Sequence, residues 1–377
     1  MGETHRPRSH RLEARRKCLY GKGGRRYSQG GFGPPTLGAL TPEGDLTLIV
    51  LEHVSRRFGE HVAVDDVSLT IAAGRIFGII GPNGAGKSTL FRMICQLIHP
   101  DSGRIRVFNA HREIEIKRLI GYLPEEHRLY EHMKTRRYLE YFCDLQAVPR
   151  RRAMEVLERV ELLDKADAKI AELSKGMRQK VGFARALITD PKVLILDEPT
   201  YGLDAHTSRH MRSWIAEEAR RKVVVMSSHN LHEAERMCGR IAILHRGRVV
   251  AHDSPLALIE RLKEEHILEV SFLGPDEPLR RAARSMKTIR PPVIENGRMR
   301  LFFSNDRDRF EVWQEVLGAI QARPEAIAIT GIAPRLPTLE DVFLRVTGEH
   351  FEDAEADVGT DTGRGEGEAS THQSASA

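Results

Sequence analysis

Runs of consecutive apolar residues, separated by polar turns, dominate the middle of the chain. Ile76–Ile80, Val193–Leu196 and Val223–Met226 show no alternation of apolar and polar positions. Such a run is typical of a strand that is buried on both faces of a mainly parallel sheet. Leu48–Leu51 and Val67–Ile71 predict two further strands. The pattern therefore predicts an α/β fold whose ordered part begins near residue 46.

A helical period replaces these runs between about residues 132 and 172. Tyr138, Leu139 and Phe142 recur at helical spacing, which predicts a helical insert within the α/β layer. Further along, Ile241–Leu244 and Val249–Val250 are separated by a short polar turn. These two runs predict a hairpin that closes the sheet.

Short strand and helix patterns alternate from about residue 265. They predict a small α+β unit, which ends in a turn marked by Pro334 and Pro337 and in a short amphipathic helix. The predicted elements are strands at Ile267–Phe272, Arg298–Phe303 and Ile327–Ile332 and helices at Pro278–Met286, Phe310–Ile320 and Leu339–Val346.

The two ends of the chain differ from its interior in charge. Residues 1–30 carry nine Lys/Arg against two acids, and residues 349–377 carry eight acids against one Arg. We interpret both ends as solvated, disordered tails, with an anionic partner as the alternative for the basic end. The interior, residues 46–348, holds 48 Lys/Arg against 41 Asp/Glu. No nucleic-acid partner is therefore expected.

Composition bears on the compartment. The longest apolar runs are far shorter than the roughly 20 residues that cross a bilayer, and no secretory signal follows Met1. The four cysteines are scattered without a C-x-x-C pair, which argues against a disulfide framework or a zinc site. We expect a cytoplasmic protein, held at a membrane only by a partner. The cysteines are Cys18, Cys95, Cys143 and Cys238.

A phosphate-binding loop lies between a predicted buried strand and an apolar helix. Residues Gly81–Ser88 fit G-x-x-x-x-G-K-[ST], and this strand–loop–helix context is the one that the motif requires. The glycines allow backbone N–H groups to face phosphate oxygens at a helix N-terminus. Lys87 is expected to reach the β- and γ-phosphates of ATP, and the Ser88 hydroxyl to hold Mg²⁺.

Two acidic residues follow another buried strand. Asp197 and Glu198 come directly after Val193–Leu196, at the strand end where parallel sheets bind ligands. Asp197 is suited to organising Mg²⁺, and Glu198 to orienting or deprotonating an attacking water.

Three further features narrow the class of ATPase. Ser174 and the Gly176 amide in the string Leu173–Met177 are expected to form a second anion-binding nest at a helix N-terminus. Asp204 follows six positions after Glu198. His229 ends the next apolar strand, where an imidazole can reach a γ-phosphate.

This ordered set of motifs resembles the nucleotide-binding subunit of ABC transporters, from about Leu48 to Leu262. The resemblance implies an ABC-type P-loop NTPase domain at 46–263, with a helical subdomain at about 126–190. A C-terminal α+β accessory domain at 264–348 and tails at 1–45 and 349–377 complete the organisation. The residues that the resemblance and the motifs assign are Lys87, Glu198 and His229 for catalysis, Ser88, Glu125 and Asp197 for Mg²⁺, and Phe58, Gly81, Pro82, Asn83, Gly84, Ala85, Gly86, Lys87, Ser88, Thr89, Glu125, Ser174, Gly176 and Asp204 for ATP.

The sequence departs from the family pattern at three positions. Glu125 stands where the family usually has Gln, Lys175 replaces a usual Gly, and Met177 replaces a usual Gln. Ser174 and Gly176, which would contact phosphate, are retained. We therefore expect an active site.

The resemblance also implies the partners. Two nucleotide-binding subunits, expected here to be a homodimer, meet head to tail, so that the signature loop of each, which the resemblance places at Leu173–Met177, completes the ATP site of the other. The strings Ile120–Glu125 and Pro337–Phe343 are similar to the export branch of the family, which implies a separate membrane permease. A soluble ABC-type ATPase acting on ribosomes or DNA is the alternative function. A P-loop kinase or GTPase leaves the signature loop and His229 unexplained.

Overall fold

The computed structural model describes residues 48–348, except 111, 127, 263–264, 284–285, 290, 305, 308 and 322–327. The two predicted tails lie outside the described residues. The strands are β1 (Leu48–Phe58), β2 (His61–Ala72), β3 (Ile76–Ile80), β4 (Ser102–Val107), β5 (Ile120–Leu123), β6 (Val193–Leu196), β7 (Val223–Ser228), β8 (Arg240–His245), β9 (Arg248–Asp253), β10 (Glu265–Leu273), β11 (Val293–Glu295), β12 (Arg298–Ser304) and β13 (Ala328–Arg335). The helices are α1 (Lys87–Ile94), α2 (Glu113–Leu119), α3 (Thr135–Leu145), α4 (Arg151–Arg159), α5 (Lys175–Leu187), α6 (Ala205–Glu218), α7 (Leu231–Met237), α8 (Pro255–Glu260), α9 (Glu277–Ala283), α10 (Arg309–Gln321) and α11 (Leu339–Thr347).

The central sheet has the strand order β5-β6-β7-β3-β8-β9. Its strands are parallel except for β9, which forms the predicted hairpin with β8. Every residue of β3, β6 and β7 is buried, because helices and the second sheet cover both faces. This burial explains the continuous apolar runs, and the predicted α/β fold class is confirmed.

A second, antiparallel sheet has the order β2-β1-β4. Strand β1 includes the predicted run at Leu48–Leu51 and continues to Phe58. The pairing of β1 with β2 shifts register between Leu51 and Val54, and His53 has a φ of 52°. A bulge at this point interrupts the alternation of apolar residues without ending the strand.

The helical insert packs against α5, which in turn contacts β5 of the central sheet. Tyr138 and Leu139 of α3 and Val156 and Leu157 of α4 are almost completely buried, and they share one core with α5 and the back of the central sheet. The predicted helical insert is therefore confirmed.

The C-terminal α+β unit has its own antiparallel sheet, in the order β11-β12-β10-β13. Two details differ from the prediction. The sequence pattern missed β11, which has only three residues and follows Pro291 and Pro292. Pro334 lies within β13 and pairs with Leu268, rather than in a turn. Because β13 is an edge strand, a residue without a backbone N–H is tolerated there. Ile327 of the predicted last strand lies outside the described residues.

Helix α11 connects the C-terminal unit to the main domain. Its apolar residues Leu339, Val342 and Phe343 are fully buried in the core that also contains α7 and α8. At its first turn, Arg300 of β12 lies 2.9 Å from Glu340 and 3.6 Å from the buried Asp341. The helix is thus anchored in one unit by apolar contacts and in the other by ion pairs.

None of the helices in the described residues has both the length and the apolar character that a membrane crossing needs.

Candidate functional site

The phosphate loop joins β3 to α1, as the motif predicts. Gly86 caps α1 with a φ of 103°, a conformation that favours glycine. A Cβ there would lie 2.2 Å from the Ala63 carbonyl oxygen, and one at Gly81 would lie 2.2 Å from the Leu244 carbonyl oxygen. The backbone of the loop can therefore approach its neighbours only because these two residues lack a side chain.

The remaining loop residues divide by exposure. Asn83 and Gly84 are exposed at the crest of the loop, whereas Pro82 and Ala85 are buried beneath it. Thr89 is half-buried in the first turn of α1. Asn83 and Gly84 are therefore the most accessible residues of the loop.

The Lys87 ammonium group is directed back into its own loop. It donates hydrogen bonds to the carbonyl oxygens of Gly81 at 2.6 Å and Pro82 at 3.1 Å. Its Nζ also lies 3.6 Å from Glu198 Oε1, and both side chains are only 6% exposed. The loop therefore carries a buried positive charge next to a buried carboxylate.

Asp197 lies at the carboxyl end of β6 and is 1% exposed. Ser227 of β7 donates a hydrogen bond of 2.6 Å to Asp197 Oδ1, and Ser88 also donates to this carboxylate. Burial raises the pKa of Asp197, and the two hydrogen bonds oppose this increase. Hydroxyl and carboxylate oxygens side by side suit a hard cation such as Mg²⁺.

Glu198 forms the centre of a short polar chain. Its φ of 48° lies in the left-handed region, where a non-glycine residue persists only if its surroundings hold it. The Ser227 hydroxyl accepts a hydrogen bond from the Glu198 amide at 2.8 Å. His229 Nδ1 lies 2.7 Å from Glu198 Oε2. The structure thus brings Lys87, Glu198 and His229 together.

Glu125 follows β5 and is exposed. Partial desolvation raises the pKa of Glu125, and the carboxylates of Asp197 and Glu198 raise it further, while Lys87 opposes them. These interactions place Glu125 on the border of the same site. The substitution of Glu for the usual Gln adds a third carboxyl group to this region.

The residues of the signature loop lie at the start of α5. Ser174 is its N-cap, and the Ser174 hydroxyl accepts a hydrogen bond from the Met177 amide at 3.2 Å. Gly176 faces Thr207, because a Cβ on this glycine would lie 3.2 Å from that side chain. Ser174 is thus hydrogen-bonded within α5, and Gly176 lies against α6.

Asp204 and Phe58 also contact residues other than Lys87, Glu198 and His229. Asp204 caps α6 and accepts hydrogen bonds from the His206 and Thr207 amides at 2.9 Å each. Hydrogen bonds from Thr207 lower the pKa of Asp204 most strongly. Phe58 ends β1, is 46% exposed, and carries the Arg56 guanidinium over its ring at 5.0 Å.

A cavity of about 690 Å³ opens beside His229. It lies between the start of α7 and the C-terminal unit, whose Arg298, Arg300 and Arg335 form part of its wall. The C-terminal unit therefore borders the His229 side of the site.

Sequence reasoning missed two residues of the site. Ser227 bonds both Asp197 and the Glu198 amide, and Tyr201 contacts the ring of His229. A serine that ends an apolar strand beside another strand ending in carboxylates is a usable signal for the first. The second depends on the path of the loop after β6, which no pattern indicates.

The fold and this site define an ATPase of the P-loop class with an ABC-type nucleotide-binding domain. Residues 64–201 match the family model described as ABC transporter. The chain is 36% identical over 321 residues to Nod factor export ATP-binding protein I of Rhizobium sp. (strain N33), and this covers 81% of the chain and 98% of that protein. It is 34% identical over 324 residues to the protein of the same name in Burkholderia lata, with 81% and 98% covered. The chain belongs to the ABC transporter family and is an ATP-binding, ATP-hydrolysing subunit.

Solved structures agree with this assignment. One is an ATP-binding subunit of an ABC transporter, with a TM-score of 0.52 and 30% identity over 57% of this chain and 93% of the other. Another is a dimeric ATP-binding cassette in a post-hydrolysis state with ADP and Pi bound, with a TM-score of 0.50 and 28% identity over 55% of this chain and 98% of the other.

Proposed function

We propose that this chain powers the export of a substrate through a separate membrane permease. The relatives named as export ATP-binding proteins support export over the alternative of an ATPase acting on ribosomes or DNA. The observation that carries the ATPase part is the buried arrangement of Lys87, Glu198 and His229 beside Asp197. The resemblance to exporters implies a place on the inner face of the cell membrane, where the permease would hold the chain.

In this proposal the phosphate loop holds ATP and Mg²⁺ near the buried carboxylates. The amides of the loop and Lys87 bind the phosphates, and Ser88 and Asp197 hold Mg²⁺, which neutralises the phosphate charge. Glu198 accepts a proton from the attacking water or orients it. His229, which is hydrogen-bonded to Glu198, would contact the γ-phosphate that the water attacks.

The second half of the ATP site comes from a second copy of the chain. Ser174 and Gly176 lie at the exposed start of a 13-residue helix, where amide groups and the helix dipole favour an anion. Within one copy, Ser174 is hydrogen-bonded within α5 and Gly176 lies against Thr207 of α6. A head-to-tail homodimer would place this helix start against the ATP held by the other copy, with Asp204 at the same interface. Phe58 would stack on adenine.

Glu198→Gln tests the composite site. The substitution keeps the shape of the side chain and removes the base, so we expect turnover to fall by about 100- to 10,000-fold. ATP binding should persist, and ATP with Mg²⁺ should convert the monomer to a dimer that sediments at twice the mass. A variant that binds ATP and stays monomeric contradicts the proposal. Glu217→Gln, which changes an exposed glutamate on α6, is the matched control and should behave as wild type.

The export role has its own test. The tagged chain, isolated from gently solubilised membranes of the source cell, should carry one multispanning membrane protein in a fixed ratio. Recovery with ribosomal particles or DNA instead would favour the alternative function. Lys87→Ala should leave this association intact if the permease recognises the fold rather than the bound nucleotide.

A further inference from the structure

The ring of Tyr201 packs against the imidazole of His229. The two ring centroids are 4.8 Å apart and the planes meet at 80°, an edge-to-face contact. The imidazole Nδ1 lies 2.7 Å from Glu198 Oε2. His229 therefore contacts both a carboxylate and an aromatic ring, which together restrict its orientation.

A cation from the signature loop contacts the same tyrosine ring. Lys175 Nζ, on the first residue of α5, lies 5.4 Å from the centroid of the Tyr201 ring, within the range of a cation–π contact. The ammonium group crosses the turn at Gly202, where a Cβ would lie only 2.1 Å from Nζ. Gly202 also has a φ of 67°. The absence of a side chain at this turn gives Lys175 its route to the ring.

These contacts form one continuous chain, Lys175–Tyr201–His229–Glu198. We propose that Tyr201 is a positioning residue for His229, and that Lys175 ties this position to the signature loop. The link between the two ATP sites rests on the proposed function, since only in a head-to-tail dimer does the signature loop meet a second ATP. The positioning of His229 by Tyr201 is a property of a single copy.

The Lys175 ammonium group has one partner in the isolated copy and a different one in the proposed dimer. In the isolated copy its ammonium group lies over the Tyr201 ring. In the proposed dimer the start of α5 would face phosphate oxygens, which attract an ammonium group more strongly than a ring does. The transfer of Lys175 to phosphate would leave Tyr201 free to adjust, and His229 with it. Through this lysine, which replaces the usual glycine, the binding of ATP at one site would change the position of His229 at the other site.

The first test observes His229 in the nucleotide-free, full-length chain. Imidazole NMR signals of ¹⁵N-histidine-labelled protein are assigned by comparison with His229→Gln. Tyr201→Ser should move the His229 signal, because the ring current and the contact are both lost, whereas Tyr201→Phe should leave it near the wild-type position. An unmoved signal in Tyr201→Ser overturns the positioning role. This result does not depend on dimerisation or hydrolysis, so it separates this inference from the proposed function.

The second test is kinetic. Tyr201→Ser should lower kcat by about 2- to 10-fold, the range of one aromatic pair, with KM for ATP within twofold. Tyr201→Phe should restore kcat.

Lys175→Met should lower the Hill coefficient for ATP towards 1 if the wild type is cooperative, and lower kcat by about twofold to fivefold in any case. Its matched control is Lys180→Met on the same helix, whose Nζ lies 5.0 Å over the Trp214 ring. Equal effects of the two lysine variants would overturn the role of Lys175.

Discussion

The two halves of the proposed ATP site differ in how the single chain supports them. The half around the phosphate loop is buried: Lys87, Asp197 and Glu198 are among the least exposed charged residues in the described part of the chain. The half around the signature loop is exposed, and the side chains of Ser174 and Asp204 accept hydrogen bonds from the amides and a hydroxyl of the helices that they cap.

The exposure of each half determines how its geometry is fixed. Buried charges must be paired, because an isolated charge loses its hydration without compensation. The pairing of Lys87, Glu198 and His229 therefore fixes the geometry before ATP arrives. An exposed helix start keeps its free amides hydrated and can exchange water for phosphate when a second copy docks. In the proposed dimer, folding organises the buried half and assembly organises the exposed half.

Lys87→Ala should break the buried half most severely. The substitution removes the cation that would bind the phosphates and leaves the buried Glu198 without it, so we expect kcat/KM for ATP to fall by about 100- to 1,000-fold. The measurements are steady-state ATPase kinetics and binding of a fluorescent ATP analogue. Lys117→Ala removes a surface lysine paired with Glu113 and should retain full activity. Unchanged kinetics in Lys87→Ala would show that this loop is not the ATP site.

Ser174→Asp should disable the exposed half while sparing the buried half. Aspartate caps a helix as well as serine does, so the fold should persist, but its charge would repel the phosphate of the other copy. We expect turnover to fall by about 10- to 100-fold, with ATP binding by the monomer unchanged. Ser254→Asp is a matched control, because Ser254 caps α8 through an equivalent 3.2 Å bond from the Ala257 amide. Equal activity of the two variants would refute a phosphate contact at Ser174.

Asp204 separates capping from a role across the interface. Asp204→Asn keeps an acceptor for the His206 and Thr207 amides, whereas Asp204→Ala removes it. The alanine variant should lower Tm by about 2–4 °C, and the asparagine variant by less. If Asp204 also acts in the dimer, Asp204→Asn should reduce turnover several-fold without any loss of Tm. Full turnover in the asparagine variant would limit Asp204 to its cap.

Much of the fold follows from local pattern. The buried strands β3, β6 and β7 carry unbroken apolar runs, and the structure confirms them. The pattern failed where geometry is decided by a neighbour. The bulge at His53 interrupts the alternation of apolar residues within β1 without ending the strand. Pro334 is accepted in β13 because that strand lies at a sheet edge.

The site shows the same division. The motifs and the resemblance assign Lys87, Glu198 and His229 to catalysis, and the structure places Glu198 beside both of the others. Their catalytic roles, like those of Ser174 and Asp204, stay predictions. Tyr201 was missed because its contact with His229 joins two loops 28 positions apart in sequence, and only the packing of those loops brings the rings together.

The scaffold beneath the buried half should respond weakly to mild acid through His252 of β9. Its ring packs against Phe77 of β3 with centroids 5.6 Å apart. Burial, and then the nearby Arg240, lower the pKa of His252 below the ordinary value of 6.5. As the pH falls below 6.5 the unfolded chain takes up a proton on this residue before the folded chain does, so the free energy of unfolding decreases. Stability from this source is fully present above pH 6.5.

The His252→Gln variant sharpens this expectation, because glutamine does not titrate. Between pH 7.5 and pH 5.5 the wild type should lose about 1–3 °C more in Tm than the variant does. Differential scanning calorimetry at both pH values measures the difference. His61→Gln, at the exposed start of β2, should follow the wild type. If His252→Gln shows the same decrease in Tm as the wild type, the acid response of the ATPase scaffold arises elsewhere, and the buried half does not contribute to it through β9.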